Sequence, residues 1–157
     1  MNKIHSVLLV CTGNSCRSVM AEELLKKLLK ELGKADIVVR SAGIRALNGY
    51  PPTNETIEVM KEAGIDSSGF KSTGITDELI KEADLILVMS TIHKLEIIKR
   101  VPAAASKTFL LSDYGRDDKG YRTVNQEIPD PIGLPVLAYK TCLGMIKEDI
   151  ERVAKIL

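Results

Sequence analysis

Short apolar runs alternate along the chain with segments in which apolar residues recur every three or four positions. The runs are typical of strands buried on both faces, and the spaced positions are typical of amphipathic helices. The runs predict strands at Val7–Val10, Ile37–Val39, Leu85–Met89 and Phe109–Leu111. The spacing predicts helices at Met20–Leu32, Thr53–Ala63, Asp77–Ala83, Ile92–Lys99 and Leu143–Leu157.

This alternation of strands and helices indicates an α/β fold. Parallel strands joined by helices form a sheet that is covered on both faces. No internal repeat, low-complexity segment or linker divides the sequence, and its 157 residues suit one core better than two. We therefore expect a single domain over residues 1–157, with a four-stranded parallel sheet and helices on both faces.

Composition excludes several classes of function. The 22 Lys and Arg residues nearly balance the 21 Asp and Glu residues, and aromatic residues amount to four Tyr and two Phe. This argues against a general nucleic-acid binder and against base-stacking surfaces. No apolar run is long enough to span a bilayer, and no signal peptide is evident, so we expect a cytoplasmic protein without a membrane partner.

Cysteine and histidine are too sparse for metal chemistry. The chain has Cys11, Cys16 and Cys142, with His5 and His93 far apart. A zinc site needs several such ligands at short, regular spacing, and a disulfide framework needs more cysteines. We therefore expect neither a metal nor a cofactor.

The segment that follows the first predicted strand carries the candidate chemistry. It runs Cys11-Thr12-Gly13-Asn14-Ser15-Cys16-Arg17-Ser18 and leads into a helix. In α/β sheets, ligands bind at the carboxyl ends of strands, where a turn meets the positive end of a helix. Gly13 and Asn14 tolerate left-handed backbone angles, so successive N–H groups can converge on an anion.

Cys11 and Arg17 have the spacing Cys-x5-Arg around this turn. A helix N-terminus and a nearby cation stabilise a thiolate, and the guanidinium fork can bind two oxygens of an oxyanion. Ser18 can donate to the thiolate or cap the helix. The combination predicts attack on phosphorus with a phosphocysteine intermediate, in preference to an inert cysteine in an ordinary turn.

Asp130 lies between two prolines in Ser112–Pro135, a stretch without periodicity. Long irregular loops are usually functional or disordered, and a positioned carboxyl can protonate a leaving group. Asp-Pro is also a common surface turn, but beside a cysteine loop we predict that Asp130 is the general acid. Its rivals in the same stretch are Asp113, Asp117 and Asp118, which are more typical of solvated charges.

The loop resembles the signature of the low-molecular-weight protein tyrosine phosphatases, especially their bacterial branch. The resemblance continues at Met20-Ala21-Glu22, Arg40-Ser41-Ala42-Gly43, Gly64-Ile65-Asp66, Asp84-Leu85-Ile86-Leu87 and Asp130-Pro131, and so covers nearly the whole chain. It implies the strand order 2-1-3-4, with the phosphate loop after the first strand. It also implies phosphorylated proteins as substrates and inorganic phosphate as product.

The resemblance implies a role for each matching residue. Cys11 would be the nucleophile, Arg17 would stabilise the transition state, and Asp130 would protonate the leaving group and then activate water. The phosphate-binding set would be Thr12, Gly13, Asn14, Ser15, Cys16, Arg17 and Ser18. Loop support would come from Asn14, Ser18 and Ser41.

Two positions leave the substrate open between phosphotyrosine and phosphoarginine. Ser15 stands where many family members have a branched apolar residue, and Ile132 follows Asp-Pro where eukaryotic relatives place aromatics. A small hydroxyl at this loop position resembles the protein-arginine phosphatases, which cleave a P–N bond. A guanidinium favours acceptors and a carboxylate, whereas a phenol favours an apolar slot. Phosphotyrosine leads here, with phosphoarginine close behind it.

The second loop cysteine, Cys16, has two interpretations. It can form a reversible disulfide with Cys11 that protects the nucleophile, or it can fill space beneath the loop. Cys142 is interpreted as structural. An arsenate reductase would need further thiols, a phosphocarrier has less need of Arg17, and a non-enzymatic phosphate-binding module would not require Asp130, so all three rank below a phosphatase.

Overall fold

The structure is a computed structural model that describes residues 3–116 and 127–157. Within these residues four parallel strands form one sheet: β1 (Ser6–Cys11), β2 (Val38–Gly43), β3 (Leu85–Val88) and β4 (Thr108–Leu110). The strand order is β2-β1-β3-β4. The helices are α1 (Arg17–Glu31), α2 (Asn54–Glu62), α3 (Asp77–Glu82), α4 (Thr91–Arg100) and α5 (Val136–Ile156), with a 3-10 helix at Pro102–Lys107.

Helices cover both faces of the sheet, because neighbouring residues of each central strand point to opposite sides. Leu9 of β1 and Leu87 of β3 pack in one core with α1, α2 and α5. Leu8 and Ile86 pack in a second core with α3 and α4. Both faces are therefore buried, which explains the uninterrupted apolar runs and confirms the predicted α/β class.

The second strand runs further than its apolar run predicts. The prediction was Ile37–Val39, but β2 continues to Gly43, whose backbone pairs with Cys11 of β1. The polar residues Arg40 and Ser41 end the apolar run, although the ladder of backbone hydrogen bonds continues through them. This extension matters for function, since it brings β2 beside the loop that follows β1.

The last helix starts earlier than the predicted Leu143, at Val136. Tyr139 and Cys142 extend its buried face toward the N-terminus of the helix, and neither has the aliphatic side chain on which the periodicity was based. None of the helices in the described residues has both the length and the apolarity needed to cross a membrane.

Candidate active site

The turn between β1 and α1 curls around the sulfur of Cys11. Asn14 has a positive φ of 51°, a left-handed conformation that asparagine tolerates better than most residues. This brings the backbone N–H of Asn14 within 3.3 Å of Cys11 Sγ. The turn leads directly into α1, so the positive end of that helix faces the same region.

A buried network of side chains braces the turn from behind. The backbone N–H of Thr73 donates to Asn14 Oδ1 at 2.8 Å, which leaves the amide nitrogen Nδ2 as the donor to other groups. Nδ2 donates to Ser18 Oγ at 2.7 Å and to Ser41 Oγ at 2.9 Å. Ser41 in turn donates to Glu22 Oε1 at 2.8 Å. Asn14 therefore ties the turn both to α1 and to β2.

Ser18 is placed to act on the sulfur of Cys11. Its hydroxyl accepts from Asn14, and it lies 2.9 Å from Cys11 Sγ. The hydroxyl proton is therefore available to the sulfur. The helix begins at Arg17 with Cys16 in the capping position, so Ser18 does not cap α1.

The end of β2 supports the turn on its other side. The backbone N–H of Ile44 donates to Cys11 O at 3.0 Å, and that of Arg45 donates to Thr12 O at 2.9 Å. A Cβ on Gly43 would lie 2.5 Å from Thr12 O and 2.8 Å from Asn14 N. Only glycine lets the two chain segments approach so closely.

Arg17 joins the turn to the segment that carries Asp130. Its side chain is only 6% exposed, and Nη1 donates to Ile128 O at 2.9 Å. Nη2 lies 3.5 Å from Thr12 Oγ1 and 3.5 Å from Asp130 Oδ2. The Asp130 carboxyl is 42% exposed, so it faces both the guanidinium and solvent.

A polar pocket of about 460 Å³ opens above this arrangement. It is lined by Thr12, Arg17, Ser90, Ile92, His93, Glu127, Ile128, Pro129 and Asp130. The N–H of Thr91 donates to Glu127 Oε1 at 2.8 Å, and this hydrogen bond is the main reason that the pKa of Glu127 is lowered. Among the described residues, no three acidic, histidine or cysteine side chains converge as metal ligands.

Within the pocket wall, His93 is fully buried. Its Nε2 lies 2.8 Å from Thr12 Oγ1, and its Nδ1 accepts from the backbone N–H of Ser90 at 3.2 Å. Burial, assisted by the positive charge of Arg17, lowers the pKa of His93 to about 4. The ring is therefore neutral at neutral pH.

Comparison with known proteins identifies the family. Residues 6–157 match the low molecular weight phosphotyrosine protein phosphatase family. The chain belongs to this family. Its sequence is 37% identical over 148 residues to the probable low molecular weight protein-tyrosine-phosphatase EpsP of Ralstonia solanacearum, covering 94% of this chain and 92% of that protein.

Arginine phosphatases are also among the relatives of this phosphatase. A protein-arginine-phosphatase of Geobacillus stearothermophilus is 35% identical over 151 residues, which cover 96% of this chain and 95% of that protein. YwlE arginine phosphatase, solved as a cysteine-to-serine mutant with a phosphorylated active-site serine, superposes with a TM-score of 0.87. It is 32% identical, and the match covers 97% of this chain and 95% of that chain. The predicted fold and family are thus confirmed.

The phosphatase fold brings together the residues that the sequence singled out. Arg17 and Asp130 line one pocket, Cys11 lies in the same turn as Arg17 without lining the pocket, and Asn14 donates to Ser41 behind the turn. The rival Asp113 lies in the turn after β4 and is not part of the pocket lining. The other two rivals, Asp117 and Asp118, lie outside the described residues.

Three residues near the site were not predicted. Glu22 accepts from Ser41, while Glu127 and His93 line the pocket. A local signal existed for His93: it follows Ser90 by three residues, and the two form the capping box that begins α4. No local signal points to Glu127, because its contacts arise from chain segments distant in sequence.

The remaining cysteines of this phosphatase lie close to α5 or within it. Cys16 Sγ lies 3.8 Å from Tyr139 Oη, and Cys142 Sγ lies 3.7 Å from Pro129 O. Burial raises the pKa of Cys142 to about 12, so its thiol stays protonated at neutral pH. All three cysteines are present as free thiols, and the disulfide between Cys11 and Cys16 stays a prediction.

Proposed function

We propose that this protein hydrolyses phosphotyrosine in proteins through a phosphocysteine intermediate on Cys11. The proposal rests on the hydrogen-bonding groups that surround the Cys11 sulfur. An amide N–H at 3.3 Å and a hydroxyl at 2.9 Å face it, inside a turn closed by the Arg17 guanidinium. These donors stabilise a thiolate and keep it next to a binding site for an oxyanion.

Binding of the phosphoryl group uses the turn and the arginine. The backbone N–H groups from Thr12 to Arg17 bind its oxygens, and the arginine fork binds two of them at once. The hydrogen bond from Arg17 Nη1 to Ile128 O at 2.9 Å holds the guanidinium in place. Positive charge is therefore present before the substrate arrives, and no metal is required for this role.

The first chemical step transfers the phosphoryl group to the sulfur. The Cys11 thiolate forms the S–P bond while the P–O bond to the tyrosine oxygen breaks, and Asp130 gives its proton to that oxygen. Asp130 Oδ2 lies 3.5 Å from Arg17 Nη2, close to the guanidinium that binds the phosphoryl oxygens in this proposal. In the second step Asp130 takes a proton from water, the water oxygen attacks phosphorus, and the S–P bond breaks to release inorganic phosphate.

Replacement of the nucleophile tests this function directly. In Cys11→Ser we expect hydrolysis of an aryl phosphate in the presence of a chelator to fall by at least about a thousandfold. The matched control is Cys142→Ser, which alters another buried thiol and keeps most activity. Quenching the wild type during turnover traps a phosphorylated form by mass spectrometry. Activity retained in Cys11→Ser, with normal circular dichroism, contradicts the assignment.

Phosphoarginine is a second candidate substrate, supported by the polarity of the pocket. Glu127 and Asp130 both line it, and no Phe, Tyr or Trp is among its lining residues in the described part of the chain. The Ser15 hydroxyl lies over the turn, 3.3 Å from where a Cβ of Gly13 would be. Carboxylates and a hydroxyl suit a guanidinium, which carries only donors.

A substrate comparison separates the two candidates. The wild type and Ser15→Ile are assayed on matched phosphotyrosine and phosphoarginine peptides. Ser15→Ile is expected to raise the ratio of kcat/KM in favour of phosphotyrosine, because a branched apolar side chain packs against a ring and offers no acceptor. An unchanged ratio removes Ser15 from substrate selection. Thr53→Ser, on the neighbouring helix cap, serves as the control variant.

A further inference from the structure

The tautomer of His93 follows from its contacts. The backbone N–H of Ser90 can only donate, so Nδ1 of His93, 3.2 Å away, must carry a lone pair. The Ser90 hydroxyl lies 3.1 Å from the same nitrogen. A neutral imidazole that accepts at Nδ1 holds its proton on Nε2. His93 therefore presents an N–H at Nε2.

The Thr12 hydroxyl receives this N–H and is held by a second donor. His93 Nε2 donates to Thr12 Oγ1 at 2.8 Å, and Arg17 Nη2 donates to the same oxygen at 3.5 Å. A hydroxyl has two lone pairs and one proton. With both lone pairs occupied, and with no other partner among the described residues, the hydroxyl can only donate, and a molecule bound in the pocket that Thr12 lines can supply the acceptor.

The position of this hydroxyl relates it to the leaving group. Thr12 Oγ1 and Asp130 Oδ2 contact the same nitrogen, Nη2 of Arg17, each at 3.5 Å. The hydroxyl and the proposed acid therefore both lie next to the guanidinium of Arg17. A donor at this place favours an acceptor atom, such as the bridging oxygen of phosphotyrosine. It does not pair with the N–H groups of a guanidinium.

We propose that His93 is a positioning residue that fixes the Thr12 hydroxyl as a hydrogen-bond donor to the substrate and so favours phosphotyrosine over phosphoarginine. The inference rests on the proposed function, since it concerns the same pocket. His93 acts entirely through Thr12 and does not touch the substrate. Loss of the His93 N–H frees the Thr12 hydroxyl to rotate and to accept, which lets it pair with a guanidinium.

A double-mutant cycle tests the proposal. The variants are Thr12→Val, His93→Leu and the double change, with His93→Gln as the conservative control that keeps a donor. We expect each single change to lower kcat/KM for a phosphotyrosine peptide by about five- to tenfold. We expect kcat/KM of the double variant to be no lower than that of Thr12→Val, and His93→Gln to lose less activity than His93→Leu. For the phosphoarginine peptide, we expect each change to lower kcat/KM by a smaller factor.

The outcomes that would contradict the role of His93 differ from the outcome that would contradict the proposed function. Additive losses, or equal losses on both peptides with unchanged KM, show that His93 only supports the fold. A wild type that is inactive on both peptides contradicts the proposed function, and the inference with it. Thermal melting of every variant separates unfolding from loss of the hydrogen bond.

A spectroscopic measurement needs no substrate. The chain has only two histidines, so ¹⁵N NMR resolves their rings, and His5→Gln assigns the signals. We expect His93 to carry its proton on Nε2 at neutral pH. A proton on Nδ1 overturns the proposal whatever the activity of the enzyme.

Discussion

The hydroxyl of Ser18 lies 2.9 Å from the sulfur of Cys11. Ser18 already accepts from the amide of Asn14 at 2.7 Å, and its own hydroxyl proton is available to the sulfur. The contact joins the last residue of β1 to the first turn of α1. Asn14 also donates to Ser41, and Ser41 donates to Glu22, so the sulfur of Cys11 is linked to a chain of buried hydrogen bonds.

The first prediction concerns this contact. Ser18→Ala removes one donor to the thiolate, and we expect kcat on an aryl phosphate to fall by about tenfold. Alkylation of Cys11 at neutral pH is expected to slow as well. The matched control is Ser67→Ala, because Ser67 is also buried but its hydroxyl has no hydrogen-bond partner in the described part of the chain. Equal effects of the two changes contradict the role of Ser18.

The second prediction separates acid catalysis from binding. Asp130→Asn keeps the acceptor for the N–H of Ile132, which contacts Asp130 Oδ1 at 3.1 Å, but it cannot supply a proton. We expect phosphoenzyme formation to slow by about a hundredfold or more for phenols that are poor leaving groups. Dinitrophenyl phosphate, whose leaving group needs no proton, is expected to lose far less. Asp113→Asn, which changes a rival aspartate, is the control. If Asp130→Asn slows phosphoenzyme formation equally for all leaving groups, Asp130 is not the acid.

The third prediction uses the close approach of Gly43 to the turn. In Gly43→Ala the new Cβ meets the backbone atoms Thr12 O and Asn14 N, at 2.5 and 2.8 Å, so the turn must move. We expect about 1–3 kcal/mol lower stability in urea unfolding and a marked loss of kcat. Gly69→Ala is the control, since nothing lies within 4 Å of its Cβ position. A fully active Gly43→Ala protein shows that the turn tolerates displacement.

The fourth prediction concerns acid stability. Burial lowers the pKa of His93 from its ordinary value of 6.5 to about 4. Between these values the unfolded chain binds a proton that the folded protein does not, so stability rises with pH and is lost as the pH falls from 6.5 towards 4. The contribution is roughly 3 kcal/mol across this range. Urea unfolding at several pH values is expected to show a shallower dependence in His93→Gln, and identical slopes for both proteins contradict the pKa shift.

Local patterns in the sequence were sufficient to predict the fold class and to single out the turn after β1. The central strands β1 and β3 are buried on both faces, so their apolar runs are uninterrupted and easy to recognise. Cys11 and Arg17 lie in one short segment, and their spacing is itself a local property. The extent of β2 was missed because hydrogen bonding along a strand continues through polar residues.

The sequence by itself determined which residues form the turn after β1, because Cys11 to Ser18 are consecutive and run from the end of that strand into the first turn of α1. Only the tertiary structure determined which residues line the pocket. His93 contacts Thr12 although 81 positions of sequence separate them. The contact forms because β1 and β3 are adjacent and parallel. The segments that follow the two strands therefore leave the sheet at the same edge. The spacing of residues along the chain does not show which strands become neighbours. The contact between His93 and Thr12 can therefore be identified only in the folded protein.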